Sequence, residues 1–295
     1  MIMTIYDHIK VGEDVCQING EDINDEQVEL IYDWVDDHFA IIKNCPFCST
    51  PLRSASYEKE KYGSESERLI YLIDSTLWSC DYCAYWQWYW HEATDLVLTN
   101  VYSEAFISKL RDFNEKLPEG FDSELSMIIR RNYRNWHIID PTRLEKLIVS
   151  VLKANYGRCE VFHVGKPFDG GVDVIFIDSN NQQWLVQVKR REDPNIAEGV
   201  KTIRNLLGAM ILEGSLNGVV ISTADHFTYR AYEAVGRARE VGMTVKLIDR
   251  GKLNRMLDPI LPDRPWRPVI KEISPNLHNY FSRRIPKAPQ KIIST

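Results

Sequence analysis

Residues 170–189 read Gly-Gly-Val-Asp-Val-Ile-Phe-Ile-Asp-Ser-Asn-Asn-Gln-Gln-Trp-Leu-Val-Gln-Val-Lys. Both flanks are rich in β-branched and aromatic residues and the middle is polar, so the stretch predicts a β-hairpin folding back near residue 180. Asp173 and Gln187 are equidistant from that point, which sets them opposite each other. Side chains alternate along a strand, so Leu185, Gln187 and Lys189 share one face, and Trp184, Val186 and Val188 the other. The hairpin gathers a carboxylate, an amide and an ammonium in an otherwise apolar element, where each must be paired or bound. Asp173 and the Gln187 amide oxygen offer hard oxygen ligands suited to magnesium or manganese. Lys189 would hold or help deprotonate an attacking water. The bland alternative is an amphipathic hairpin whose Lys189, Arg190 and Arg191 are a solvated strand end.

The elements around the hairpin have an order. Asp140-Pro141 is a helix start, with an N-cap residue followed by proline at the first helical position. In the helix to about residue 155, Glu145 shares a face with Ile148, Val149 and Leu152 and so points inward. A strand over 159–165, the hairpin, a helix near 196–213, a buried strand over 218–223, a helix over 228–241 and a strand over 244–249 follow. The order αβββαβαβ predicts a mixed sheet flanked by helices. His163 reads as a hydrogen-bonded core residue, and Asp169 as an organiser of the Gly-rich turn or an aid to a second metal.

Gly165-Lys-Pro-Phe-Asp-Gly-Gly-Val-Asp173 followed by Gln187-Val-Lys189 resembles the Mrr-type branch of the PD-(D/E)XK restriction endonucleases, where glutamine takes the second acidic position. The resemblance covers about residues 137–258 and implies a restriction-endonuclease-like α/β core. It implies metal-dependent hydrolysis of DNA phosphodiesters, in restriction or anti-phage defence, with modified or phage DNA among the substrates. On that reading Asp173 and Gln187 hold the metal, Lys189 acts on the water, and Glu145 supports the site from the first helix. Gln187 in place of an acid makes the metal site less anionic. Two alternatives stay open: a catalytically weak nucleic-acid binder, and a nuclease effector docked on a partner protein of a defence complex.

Cys45-Pro-Phe-Cys48 and Cys80-Asp-Tyr-Cys83 are separated by a long excursion. Each pair offers two thiolates from a tight turn, and four thiolates suit tetrahedral zinc, so 45–95 reads as a zinc ribbon with a structural ion. Trp86, Trp88 and Trp90 share a strand face and read more readily as its core than as a base-stacking platform.

The chain of 295 residues carries a net charge of −6, unevenly spread. Residues 1–44 hold 11 acids and 2 bases, whereas 251–295 hold 3 acids and 9 bases. Basic charge gathers toward the carboxy-terminal half, as expected of a half that meets phosphate. Asn24 to Ile42 predicts an acidic amphipathic helix, 96–136 a helical linker, and 259–295 a proline-rich basic tail with little helical period. Arg130, Arg131 and Arg134, with Arg190 and Arg191 beside the hairpin, are candidate DNA contacts. No run of 18 apolar residues and no basic, apolar leader is present, so no membrane contact and a cytoplasmic location are the expectation. One site per chain acting on two strands makes a homodimer a working hypothesis.

Overall fold

The computed structural model describes residues 6–12, 15–18, 21–22, 42–62, 69–96, 98–108, 122–165, 171–193, 195–262 and 264–285. The chain divides into two units, residues 1–116 with 262–289 and residues 117–261 with 290–295.

The first unit is built on a seven-stranded sheet. Its strands are β1 (Tyr6–Gly12), β2 (Val15–Ile18), β3 (Glu21–Asp22), β4 (Arg53–Tyr62), β5 (Leu69–Ser79), β6 (Trp86–Leu96) and β7 (Leu98–Ser108), in the order β3-β2-β1-β7-β6-β5-β4. β7 corrects the helical linker expected over 96–136. Leu98, Val101, Tyr102, Ala105 and Phe106 do recur at helical spacing, but pairing with β6 on one side and β1 on the other satisfies the backbone as a strand. Tertiary pairing outweighs local period in such segments. Trp86 and Trp88 are wholly buried, and the Trp88 indole donates to Ser75 Oγ at 2.8 Å, so these rings are core. The acidic helix expected over 24–42 lies, but for its last residue, outside the described residues.

The second unit holds α1 (Asp122–Arg131), α2 (Asn135–Ile138), α3 (Pro141–Tyr156), β8 (Glu160–His163), β9 (Val174–Ile177), β10 (Gln183–Lys189), α4 (Val200–Leu212), β11 (Asn217–Ser222), α5 (Tyr229–Glu240), β12 (Thr244–Ile248) and α6 (Arg250–Met256). From α3 to β12 the order is αβββαβαβ. The five-stranded sheet runs β12-β11-β10-β9-β8, antiparallel through β8, β9 and β10 and parallel through β10, β11 and β12. Parallel neighbours need helical crossovers, and α4 and α5 supply them. Asp140 caps α3 by accepting the N–H of Arg143 at 2.9 Å, with Pro141 at the first helical position.

The tail also departs from expectation. It forms α7 (Trp266–Ile273) and α8 (Pro275–Arg284) in the first unit. Trp266, Ile270, Leu277 and Phe281 are buried in one cluster with Leu77, Trp86 and Trp88. Pro268 and Pro275 read as helix breakers in sequence, yet both fall in a first helical turn, where the missing N–H has no intrahelical partner to lose.

Candidate active site

β9 and β10 pair from Gln183↔Ile177 to Val186↔Val174, the register of a fold-back centred on residue 180. One place beyond the last pair, that register sets Asp173 against Gln187. Asp173 is held along its whole length. Its N–H donates to Val186 O at 3.0 Å, and its carbonyl accepts from the N–H groups of Val164 and Gly165, each at 3.0 Å. Its Oδ2 accepts from the Val188 N–H at 2.6 Å. The carboxylate is therefore tied to β10 by a backbone N–H.

Gln187 is 1% exposed, and its Oε1 has no hydrogen-bond partner among the described residues. A buried polar atom left unpaired costs about 1–3 kcal/mol, so such an atom is a place where a ligand returns energy. The donor set, a carboxylate and an amide oxygen, fits a hard divalent cation. Gly171 makes room for this arrangement. Its φ is +91°, and a Cβ there would lie 2.6 Å from Gln187 Nε2. Gly171→Ala should displace the amide, costing about 1–3 kcal/mol of stability through backbone strain and about 10²-fold in cleavage through misplacement. Thermal unfolding and plasmid nicking on the same preparation read both, and unchanged nicking would show that the amide position is irrelevant.

Lys189 is half-buried and pairs in the parallel ladder with Ser222. The Ser222 hydroxyl donates to Glu198 Oε2 at 2.8 Å, and Thr202 donates to Oε1 at 2.6 Å. Arg191 grips both oxygens, Nε on Oε2 at 2.9 Å and Nη2 on Oε1 at 2.5 Å. Glu198 is fully buried. Burial pushes its carboxyl up, but hydrogen bonds from Arg191, Thr202 and Ser222 with the Arg191 charge outweigh that and hold it below the usual range. Glu198 thus ties the chain leaving Lys189 to the end of β11, a role the sequence did not announce. Because its pKa is lowered on folding, its stabilisation is present above the ordinary carboxylate pKa of about 4.3 and is lost as pH falls through the folded value. Glu198→Gln should cost about 2–3 kcal/mol at neutral pH, the worth of charge-assisted hydrogen bonds. The gap from the parent should narrow in acid, which melting curves from pH 7 to 3 will show.

Glu145 points inward as expected, but the partner it meets is His163, Oε2 to Nε2 at 2.7 Å. The same oxygen lies 2.7 Å from where a Cβ on Gly165 would be. Glu145 therefore braces the end of β8, whose next residues, Val164 and Gly165, hold the Asp173 carbonyl. Asp169 lies outside the described residues.

The arginine candidates divide. Arg130 and Arg131 are 5% and 6% exposed, which corrects their assignment as DNA contacts: Arg130 donates to Asn254 O and pairs with Asp258 at 2.5 Å. Its charge is consumed by folding, through partners far along the chain. Arg134 is exposed. Arg190 donates to His137 O at 2.7 Å and pairs with Glu192 at 2.8 Å.

In the first unit, Cys45–Cys48 and Cys80–Cys83 form two like turns. Ser49 donates to Cys45 O at 2.9 Å and Ala84 to Cys80 O at 3.1 Å, and Ser49 and Ala84 both adopt positive φ, 58° and 57°. The four sulfurs lie within 4.8 Å of one another, with Cys45–Cys83 and Cys48–Cys80 at 3.5 Å. Tetrahedral zinc–sulfur bonds of about 2.3 Å set sulfurs about 3.8 Å apart, so the quartet fits such an ion. Hydrogen bonds from Cys80 and then Cys83 draw the Cys45 thiol down to about 2, while hydrogen bonding to Cys45 pushes Cys80 up to about 12. Holding all four sulfurs as thiolates at these distances would take a cation between them. Among the described residues this is the one group of three or more His, Cys, Asp or Glu side chains close enough to share an ion.

A family model described as restriction endonuclease, the Mrr catalytic domain, matches residues 137–257. Over these residues the chain is similar to the Mrr-type restriction endonucleases. The matched stretch runs from α2 through α6 and contains Glu145, Asp173, Gln187, Lys189 and Glu198, so the Mrr-type domain and the hairpin site coincide. No curated protein matches the chain. The solved "Structure of EndoMS in apo form" aligns with 82% of this chain and 97% of that one at 10% identity and a TM-score of 0.24, too low for the likeness to bear on the fold. No helix of the described residues is long and apolar enough to cross a membrane.

Proposed function

We propose that the chain is a divalent-metal-dependent endonuclease acting on DNA, with its reaction centre at the open end of the β9–β10 hairpin. The observation that carries this reading is the buried Gln187 Oε1, unpartnered among the described residues, set in register with Asp173 and two residues before Lys189 in a stretch similar to the Mrr-type domain. Asp173 and Gln187 would hold magnesium or manganese. When bound, such an ion neutralises charge on the phosphate and lowers the pKa of a coordinated water. Asp173 contributes a carboxylate fixed by the Val188 N–H. Lys189 supplies a positive charge that orients water and opposes charge growing on the phosphate oxygens. Glu145, through His163, and Glu198, through Arg191, position the strand ends from which these groups project. Arg134, Arg190 and Arg191 are the remaining candidates for backbone contacts.

The cysteine quartet is read as a structural zinc site, since four sulfurs leave no open position. Such a site belongs in a reducing compartment, and the reading places the chain in the cytoplasm, in restriction or anti-phage defence. A second reading rests on Gln187 itself: an amide in place of a carboxylate weakens metal binding and favours a nucleic-acid binder of low activity. Incubation of the purified chain with unmodified DNA, modified DNA and RNA, with and without magnesium, tests the proposal. Magnesium-dependent cleavage of DNA supports it, and binding with no cleavage of any substrate supports the second reading.

A further inference from the structure

The outer surface of α4 and α5 is unlike the rest of the Mrr-type domain. Val200, Arg204, Leu207 and Ile211 form one stripe along α4 at spacings of four and three, and Arg230, Ala234, Arg237 and Val241 form a matching stripe along α5. Both helices cross between parallel strands in the same direction, so the two stripes face each other across a crease. The crease encloses about 520 Å³ and runs for about 17 Å, the rise of three helical turns. Large apolar side chains in it stand exposed, Ile211 at 66% and Val241 at 73%. An apolar patch of that kind, rimmed by charge, marks an interaction surface.

Its charge says what covers it. Arg204, Arg230 and Arg237, like Arg134, Arg158, Arg239 and Arg255, make no ion pair among the described residues, whereas Arg130, Arg143, Arg190, Arg191 and Arg250 of the same unit each pair with a carboxylate. Glu233 is the single acid lining the crease. Three guanidiniums beside an apolar floor, with one carboxylate among them, ask for acids from a partner. A second copy placed by a two-fold axis would bring the same basic surface onto itself and repel. A DNA backbone would match the arginines but leave the apolar floor wet. An amphipathic helix with an acidic flank satisfies both, lying in the crease with apolar residues at i, i+3/i+4 and i+7.

We propose that the α4–α5 crease is the docking site for an acidic amphipathic helix of a partner protein. This surface takes no part in the proposed hydrolysis, so it stands or falls independently of the nuclease reading. The test is selection from a phage-displayed library of 18-residue helical peptides, apolar at i, i+3/i+4 and i+7 and random elsewhere, on the immobilised full-length chain. Selected peptides should be rich in Asp and Glu. Fluorescence anisotropy should show their affinity falling about 10-fold or more for the R204E/R230E/R237E variant, whose melting temperature stays that of the parent. The neutral R204Q/R230Q/R237Q variant should fall between. Four results overturn the proposal: no enrichment, enrichment of basic sequences, selected peptides indifferent to all three arginines, or a dimer in sedimentation that I211E/V241E dissolves.

Discussion

Lys189→Ala should lower DNA cleavage by about 10²–10³-fold, the cost of removing one preorganised charge from a site where negative charge is proposed to develop, and should leave the fold intact. The side chain is half-buried and enters no ion pair with a described residue, so its loss opens no cavity in the core of Leu185, Val220 and Ile203. The backbone stays tied, because Thr223 donates to the Lys189 carbonyl at 3.0 Å and that bond does not depend on the side chain. Rates from single-turnover plasmid nicking, with circular dichroism on the same sample, separate the two effects. A variant that melts normally and cuts at the parental rate removes Lys189 from the chemistry.

Removal of the zinc proposed for the cysteine quartet should have the largest structural effect. The Cys45, Cys80 and Cys83 sulfurs are buried together with Tyr85 in a small cluster edged, among the described residues, by Leu52, Cys48 and Tyr82, with the Phe47 ring edge-on to Tyr85. That is too little apolar surface to close the two turns unaided. Structural zinc sites contribute an apparent binding free energy of about 10–16 kcal/mol, as large as the whole stability of an ordinary domain at about 5–15 kcal/mol. Cys83→Ala, or exhaustive chelation of the native chain, should therefore unfold the region around residues 42–96 and expose Trp86 and Trp88. Mass spectrometry of the native protein should find about one zinc per chain. The variant should show rapid proteolysis within that region and a red shift in tryptophan emission. Full protease resistance after complete demetallation would mean the quartet is not a metal-built centre.

The hairpin was legible in the sequence because a turn fixes register by counting: once residue 180 is the centre, Asp173 faces Gln187 with no further information. The order of elements from α3 to β12 was legible for a similar reason, since each apolar run has the length and residue types of its element. Glu198 was not, because an acid just before a helix looks like an ordinary partner of the helix dipole. Only the meeting of Arg191, Thr202 and Ser222 turns it into a buried anchor. Arg130 and Arg131 looked like DNA contacts because a basic run carries no sign of Asn254 and Asp258, which bury Arg130 from another part of the chain. β7 and the tail helices were misread where local period or proline content outvoted context: ladders on both sides make β7 a strand, and Pro268 and Pro275 sit in first turns.

The most direct test of the site is nicking of supercoiled plasmid by the parent chain and by Asp173→Asn, each with magnesium and with EDTA. Asparagine keeps an acceptor for the Val188 N–H, so the strand end holds while the carboxylate charge is lost. Nicked and linear DNA from the parent in magnesium alone, and none above background from the variant, is the expected pattern. Cleavage that survives EDTA, or that Asp173→Asn leaves undiminished, contradicts a metal-dependent centre at this hairpin.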